Sequence, residues 1–233
     1  MNKIHLLDNG LINKIAAGEV VERPASVVKE LMENSIDAGA TSITVEIAEG
    51  GTSVIKITDN GKGIPKDEIR TAFMRHATSK IDSFEDLENV LTLGFRGEAL
   101  SSIASVAQVE MLTRTENDSM GTRIVINGGV VDREEECAAN VGTVFYVKNI
   151  FFNTPARRKF LKKPATEGSY ISEIVNRIAL GHPNIAIKYI NNGNIVLQTI
   201  GDGNVKNSLF YIYGKDIASK MLNLESEKEG YIL

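Results

Sequence analysis

"TSITVEIAEGGTSVIKITDNGKGIP", residues 41–65, decides how the chain is built. Ile43, Val45 and Ile47 alternate with Thr44 and Glu46, and Ile55 and Ile57 alternate with Lys56 and Thr58. Strict alternation marks a strand with one buried face. Only a short Gly50-Gly51 connection separates the two runs, so they fold back as a β-hairpin. The same pattern recurs downstream. "TRIVINGGVVDRE" predicts a hairpin turning at Asn127-Gly128, and "IAIKYINNGNIVLQTI" predicts another. "QVEMLTRT" and "GTVFYVKNI" are single strands between them.

Helical segments alternate with these strands. Residues 11–21 predict a short helix ending in a turn at Gly18, and Pro24 suits the first turn of the next, which runs toward Gly39. "PKDEIRTAFMRHA", "EALSSIASVA", "TPARRKFLKK" and "GSYISEIVNRIAL" predict four more. Hairpins rather than repeated βαβ units imply an α+β fold: a two-layer α/β sandwich whose mixed, largely antiparallel sheet carries helices on one face. "ATSKIDSFEDLENVLTLGFRG" has weak periodicity and reads as a long connection, the kind of loop that tends to be a lid or a binding loop. Gly201-Asp202-Gly203 is the best linker candidate. Residues 1–200 are therefore expected to form one domain, with 201–233 a linker and the truncated start of a second.

Composition bounds the function. The chain has 233 residues, 42% hydrophobic and 24% charged, the profile of a folded protein. A net charge of −4 argues against a general nucleic-acid coat, although a local basic patch remains open. One cysteine, Cys137, cannot form an internal disulfide and points to a reducing compartment, the cytoplasm. His5, His76 and His182 are too scattered for a structural zinc site. No run approaches the roughly 20 apolar residues of a membrane span.

On the helix "KELMENSIDAGA", residues 29–40, Leu31, Met32 and Ile36 continue an apolar arc begun by Val27 and Val28. Lys29 and Glu33 form an ordinary i,i+4 pair on the far side. Glu30, Asn34 and Asp37 instead form an acid–amide–acid strip beside the apolar arc, with no basic residue on it. Alone, such a strip is most often a solvated face.

Other segments bear on that strip. No G-x-x-x-x-G-K-[ST] is present, which removes a P-loop. "TDNGKGIP", residues 58–65, puts Asp59 at a strand end and Gly61 and Gly63 after it. A plain turn is one reading. The other is a carboxylate that accepts from adenine's exocyclic amine, with glycines letting a flat ring approach the backbone. "TLGFRGEALSSIAS" sets Gly94-Phe95-Arg96-Gly97 ahead of a helix, where free N–H groups favour phosphate. Thr78 and Lys80 in "RHATSK" are candidate phosphate donors, and Gly142-Thr143 opens a strand. "NTPARRKFLKK" gathers Arg157, Arg158 and Lys159, either a solvated basic face or a contact for DNA or phosphate.

Taken together and in this order, Glu30-x-x-x-Asn34, Asp59-x-Gly61-x-Gly63, Gly94 to Gly97 and Gly142-Thr143 resemble the motifs of the gyrase, heat-shock chaperone, histidine kinase and MutL superfamily of ATPases, whose ATP-binding fold is the Bergerat type. "IAAGEVVERPASVVKELMENSIDAGA", "RHATSK", "GFRGEAL" and "NTPARRKFL" are similar to the MutL mismatch-repair family in particular, from about Leu6 to Ile200. The resemblance implies an ATPase dependent on Mg²⁺. Asn34 would hold the metal, Glu30 would deprotonate the attacking water, and Asp59 would read adenine. Gly61, Gly63, Thr78, Lys80, Gly94, Phe95, Arg96, Gly97, the lid-helix residues Glu98, Ala99 and Leu100, and Thr143 would complete the ATP site. It also implies ATP-driven closure of the lid, pairing of two such domains, a MutS-type partner, and coupling of mismatch recognition to strand incision. Family members continue into a second domain that supplies a lysine to the γ-phosphate. The given sequence ends at Leu233, so weak turnover is expected.

Three other readings compete. A module that holds ATP as a signal and hardly turns over is one. A histidine kinase domain usually lacks an acid four residues before the asparagine. A gyrase-type enzyme lacks "GFRGEAL" and "NTPARRKFL".

Overall fold

A computed structural model describes residues 17–18, 20–78, 97–221, 227–228 and 231–232. An eight-stranded sheet forms its centre, in the spatial order β5-β4-β3-β6-β2-β1-β7-β8. The strands are β1 (Ser42–Ala48), β2 (Val54–Asp59), β3 (Gln108–Arg114), β4 (Gly121–Asn127), β5 (Val130–Cys137), β6 (Gly142–Lys148), β7 (Ala186–Asn191) and β8 (Asn194–Gln198). Every neighbouring pair is antiparallel except β1 with β7. That one parallel pair follows from the helical crossover between β6 and β7, since parallel neighbours need a long connection.

The alternation read in the sequence sets the layers. Ile43, Val45 and Ile47 of β1 and Ile55 and Ile57 of β2 point into the core, with Val45 opposite Ile57. The opposite face carries charge, where Lys56 pairs with Glu46 at 2.6 Å and Glu110 receives both Arg123 and Lys148. Among the described residues the helices lie on the apolar face. Helix α1 (Pro24–Asp37) buries Val27, Val28, Leu31 and Met32 there, each worth about 1.5–3 kcal/mol of removed apolar surface. Pro24 occupies its first turn, and Gly39, at φ +76°, reverses the chain into β1. The long α5 (Pro164–Gly181), named after α2, α3 and α4 below, lies beside α1 and closes the layer.

Several expectations shift. "PKDEIRTAFMRHA" yields only the four-residue α2, Ile69–Ala72. Arg70 and Lys66 reach out to Glu134 and Glu136 on β5, and the N–H groups of Phe73 and Met74 bond three residues back, which closes the helix early. Helix α3 (Ala99–Val106) matches its segment, and α4 (Pro155–Phe160) is shorter than "TPARRKFLKK". Helix α5 starts four residues before the predicted Gly168. A Cβ on that glycine would press on the Asn191 side-chain amide at 3.3 Å and only touch the Gly50 Cα at 3.9 Å. The β4–β5 turn is Gly128-Gly129, both at positive φ, one residue later than expected. After β8 come α6 (Val205–Tyr213), resting on α5 and β8, and α7 (Lys215–Ala218); β9 (Glu227–Lys228) and β10 (Tyr231–Ile232) pair with each other. Among the described residues no helix is long and apolar enough to cross a membrane.

Candidate functional site

The end of β2 brings three segments to one carboxylate. Asp59 is only 8% exposed although it carries an acid. Its Oδ2 accepts from the Ser35 hydroxyl of α1 at 2.8 Å. Its Oδ1 accepts the backbone N–H of Gly61 at 2.9 Å and of Thr143, at the start of β6, at 3.2 Å. Burial pushes the Asp59 carboxyl above its ordinary value, and these three donors pull against that rise. Among the described residues no cation is one of its hydrogen-bonding or electrostatic partners. A buried, oriented acceptor of this kind suits a ligand that brings its own donor.

The glycines around it are fixed by the chain itself. A Cβ on Gly61 would lie 2.9 Å from the Ala38 Cβ. One on Gly63, at φ +72°, would collide with the Arg114 carbonyl, and one on Gly142, at φ +114°, with the carbonyl of Asp59. The Cβ directions of Gly61 and Gly63 face Ala38, just after α1, and the end of β3, so the missing side chains let these backbones close around Asp59.

Asn34 and Glu30 are on α1, next to Ser35 and one turn before it, so the helix that fixes Asp59 also sets the strip. The strip is not free of basic charge. The Lys29 ammonium lies 3.5 Å from Glu30 Oε1 while pairing with Glu33 at 2.9 Å, because a long lysine stem spans both faces.

Glu98 is the N-cap of α3, but its side chain makes no cap. It turns instead to Arg75 at 3.4 Å and His76 Nδ1 at 3.3 Å. Ala99 and Leu100 form the first turn, whose N–H groups have no acceptor within the helix. Gly97, at φ +62°, packs on Ala77, where a Cβ would stand 2.7 Å from the carbonyl oxygen. The two ends of the connection thus meet at one point, with exposed Thr78 beside it. Lys80, Gly94, Phe95 and Arg96 lie outside the described residues.

The basic segment divides. Arg158 and Lys159 are exposed, whereas Arg157 lies against Gly18, with its guanidinium where a Cβ would be. Arg157 is half-buried, which leaves Arg158 and Lys159 as the exposed members of the three.

Two residues here were missed in the sequence. Ser35 falls on the apolar arc of α1, one turn after Leu31, whose carbonyl lies 3.0 Å from its hydroxyl. Thr113 shares the inward phase of β3 with Val109 and Met111 and is 1% exposed. It accepts from the Ile64 N–H at 2.9 Å and reaches the Gly142 carbonyl at 3.1 Å. The signal in both cases is a hydroxyl at a core-facing position of an otherwise apolar pattern.

Comparison with known proteins agrees with this geometry. Residues 22–141 match the family described as histidine kinase-, DNA gyrase B- and HSP90-like ATPases. A DNA mismatch repair protein MutL from Agathobacter rectalis is 57% identical over 98% of this chain, and one from Caldanaerobacter subterraneus is 53% identical over the same share. The chain spans 35% and 39% of those relatives' own length. Among solved structures, the Aquifex aeolicus MutL ATPase domain complexed with ADP superposes with a TM-score of 0.69 at 31% identity, covering 83% of this chain and 70% of that one.

Proposed function

This chain belongs to the MutL family within the histidine kinase-, gyrase B- and HSP90-like ATPases, and from that premise we propose that Asp59 is the adenine reader of a Mg²⁺-dependent ATP site. The observation that carries the reading is the buried Asp59 carboxylate, held by Ser35, Gly61 and Thr143 with no cation among its partners in the described residues. An adenine amine donates where this carboxylate accepts, whereas the O6 of guanine would face it with like charge.

The remaining roles follow the chemistry of each group. Thr143, Gly61 and Gly63 shape the base end. Thr78, Lys80, Gly94, Phe95, Arg96, Gly97 and the first turn of α3, from Glu98 to Leu100, serve the phosphates. Among the described residues no three His, Cys, Asp or Glu side chains gather to hold a metal. One amide oxygen, from Asn34, plus triphosphate oxygens is a donor set that fits Mg²⁺, which usually takes few protein ligands. When bound there, Mg²⁺ neutralises charge on the transferring phosphoryl group. Glu30 orients and deprotonates the attacking water.

In the whole protein, ATP orders the segment between Thr78 and Gly97 and drives self-association of two such domains. That step couples a MutS-type partner's mismatch recognition to strand incision, in the cytoplasm. Arg158 and Lys159 offer a weak DNA contact. Gly97 tests the ordering step. Gly97→Val adds a β-branched side chain at positive φ and pushes Ala77 away. Hydrogen-exchange protection gained with a non-hydrolysable ATP analogue should fall, and ATP-dependent association in sedimentation should fall with it. Protection equal to that of the unsubstituted protein would remove the segment from the mechanism.

Asp59→Asn tests the base reading. ATP affinity should drop by about 1.5–3 kcal/mol, the worth of a charge-assisted hydrogen bond, and the preference over GTP should shrink. Titration calorimetry with both nucleotides measures this, and an unchanged ATP/GTP ratio refutes the reading. The same variant has a stability signature. A carboxyl raised by burial adds stability that is complete below its ordinary 3.8 and is lost as pH rises through the folded value. Asp59→Asn removes that loss, so without nucleotide its stability relative to the unsubstituted protein should climb as pH rises past that window.

A further inference from the structure

Four polar residues stand in one row across four adjacent strands. Asp59 of β2 faces Thr143 of β6, Thr143 faces Thr113 of β3, and Thr113 faces Thr122 of β4. All four are buried. The next inward row, Ile57, Phe145, Met111 and Ile124, is wholly apolar. A polar row costs desolvation unless each member is hydrogen-bonded, so its internal bonding is constrained.

Thr113 sits at the hub of that bonding. Its hydroxyl oxygen accepts from Ile64, in the segment that follows Gly63, at 2.9 Å. Its single proton can go to the Gly142 carbonyl at 3.1 Å or to the Thr143 hydroxyl, and of the two the carbonyl is the nearer and the one that cannot itself donate. The Thr143 hydroxyl lies 3.2 Å away. A hydroxyl carries one proton and two lone pairs. With the Thr113 proton on Gly142 and one lone pair on Ile64, the bond to Thr143 forms only if Thr143 donates. Thr143 then has no proton to offer a ligand and presents lone pairs alone. Asp59, bound through the Thr143 N–H, is likewise an acceptor.

We infer that Thr113 is a positioning residue that sets the nucleobase preference of this site, by holding the Thr143 hydroxyl as an acceptor and tying the Gly63-Ile64 loop to the start of β6. The inference rests on the ATP reading of Asp59. Two adjacent acceptors suit an exocyclic amine and disfavour a carbonyl oxygen. Without the Thr113 hydroxyl, Thr143 rotates and donates, which a guanine O6 tolerates, and Ile64 loses its acceptor.

Titration of ATP and GTP against Thr113→Val, Thr113→Ser and Asp59→Asn tests this. Thr113→Val keeps the shape and removes the hydroxyl. ATP affinity should fall about tenfold, as expected for a buried hydrogen bond lost, while GTP affinity falls less, so the ratio shrinks. Thr113→Ser should restore the ratio. Equal loss for both nucleotides would mean a merely structural threonine and overturn the inference. Asp59→Asn separates the two levels. If it collapses the ratio while Thr113→Val leaves it intact, the base reading stands and Thr113 is wrong. If neither changes it, both fall. Should Thr113→Val not fold, Thr113→Cys, with a weak thiol in place of the hydroxyl, should give an intermediate ratio, and an unchanged one overturns the inference.

Discussion

Glu30→Ala should leave Mg-ATP binding nearly intact and lower turnover by about 10²–10⁴-fold, the usual contribution of a positioned general base. In the proposed role its carboxylate acts only as the water loses its proton, so its removal should appear in kcat and not in the binding constant. Asn34→Ala should act in the opposite place. Losing the protein ligand of the cation should weaken Mg-ATP binding and leave Mg-free nucleotide binding less affected. The position of Lys29 bears on this split. It stands 3.5 Å from Glu30 and 2.9 Å from Glu33, so Glu33 remains as its partner when Glu30 turns to a water. Calorimetry with and without Mg²⁺, alongside phosphate release, measures both variants. Equal losses of binding in the two would defeat the division of roles. Measurable turnover unchanged by Glu30→Ala would remove Glu30 as the base, and near-background turnover in both proteins would leave a module that holds ATP as a signal.

Much of this arrangement was legible because period-two alternation is a local property. Ile43, Val45 and Ile47 announce a half-buried strand whatever lies beside it, and the hairpins give the antiparallel pairs directly. What alternation cannot state is which strands meet after a long connection. The parallel β1–β7 pair depends on where α5 deposits the chain. The helix near residue 65 was overestimated, since Lys66 and Arg70 are drawn to Glu136 and Glu134 on a distant strand and the N–H groups of Phe73 and Met74 turn back three residues. At the candidate site, the strand-end positions of Asp59 and Thr143 were readable, while Ser35 and Thr113 were not singled out. Their importance lies in partners 24 and 49 residues away, and a lone hydroxyl in an apolar pattern is usually silent. The glycines were seen, but not that Ala38 and the Arg114 carbonyl stand beside them. A sequence shows that φ freedom or close approach is needed, and only the fold shows what approaches.

That last distinction gives the largest stability effect expected here. Gly142 combines two constraints, a φ of +114° and a Cβ position that would collide with the Asp59 carbonyl and stand 2.9 Å from the Asn60 Cα. Gly203 has the first constraint alone, at φ +75° with nothing within 4 Å. Gly203→Ala should therefore cost only the left-handed backbone penalty, about 1 kcal/mol. Gly142→Ala should cost about 3 kcal/mol or more, lowering Tm by roughly 6–12 °C for a domain of this size. The collision is with backbone on both sides, so the strain cannot relax into a side-chain rotamer. It must move either the end of β2 or the start of β6, and each holds one side of the Asp59–Thr143 contact. Nucleotide affinity should then fall even at temperatures where the variant is fully folded, whereas Gly203→Ala should bind as the unsubstituted protein does. Urea unfolding of both variants measures the first claim and calorimetry the second. If Gly142→Ala costs no more than Gly203→Ala, the close approach of β2 and β6 is not what demands glycine there.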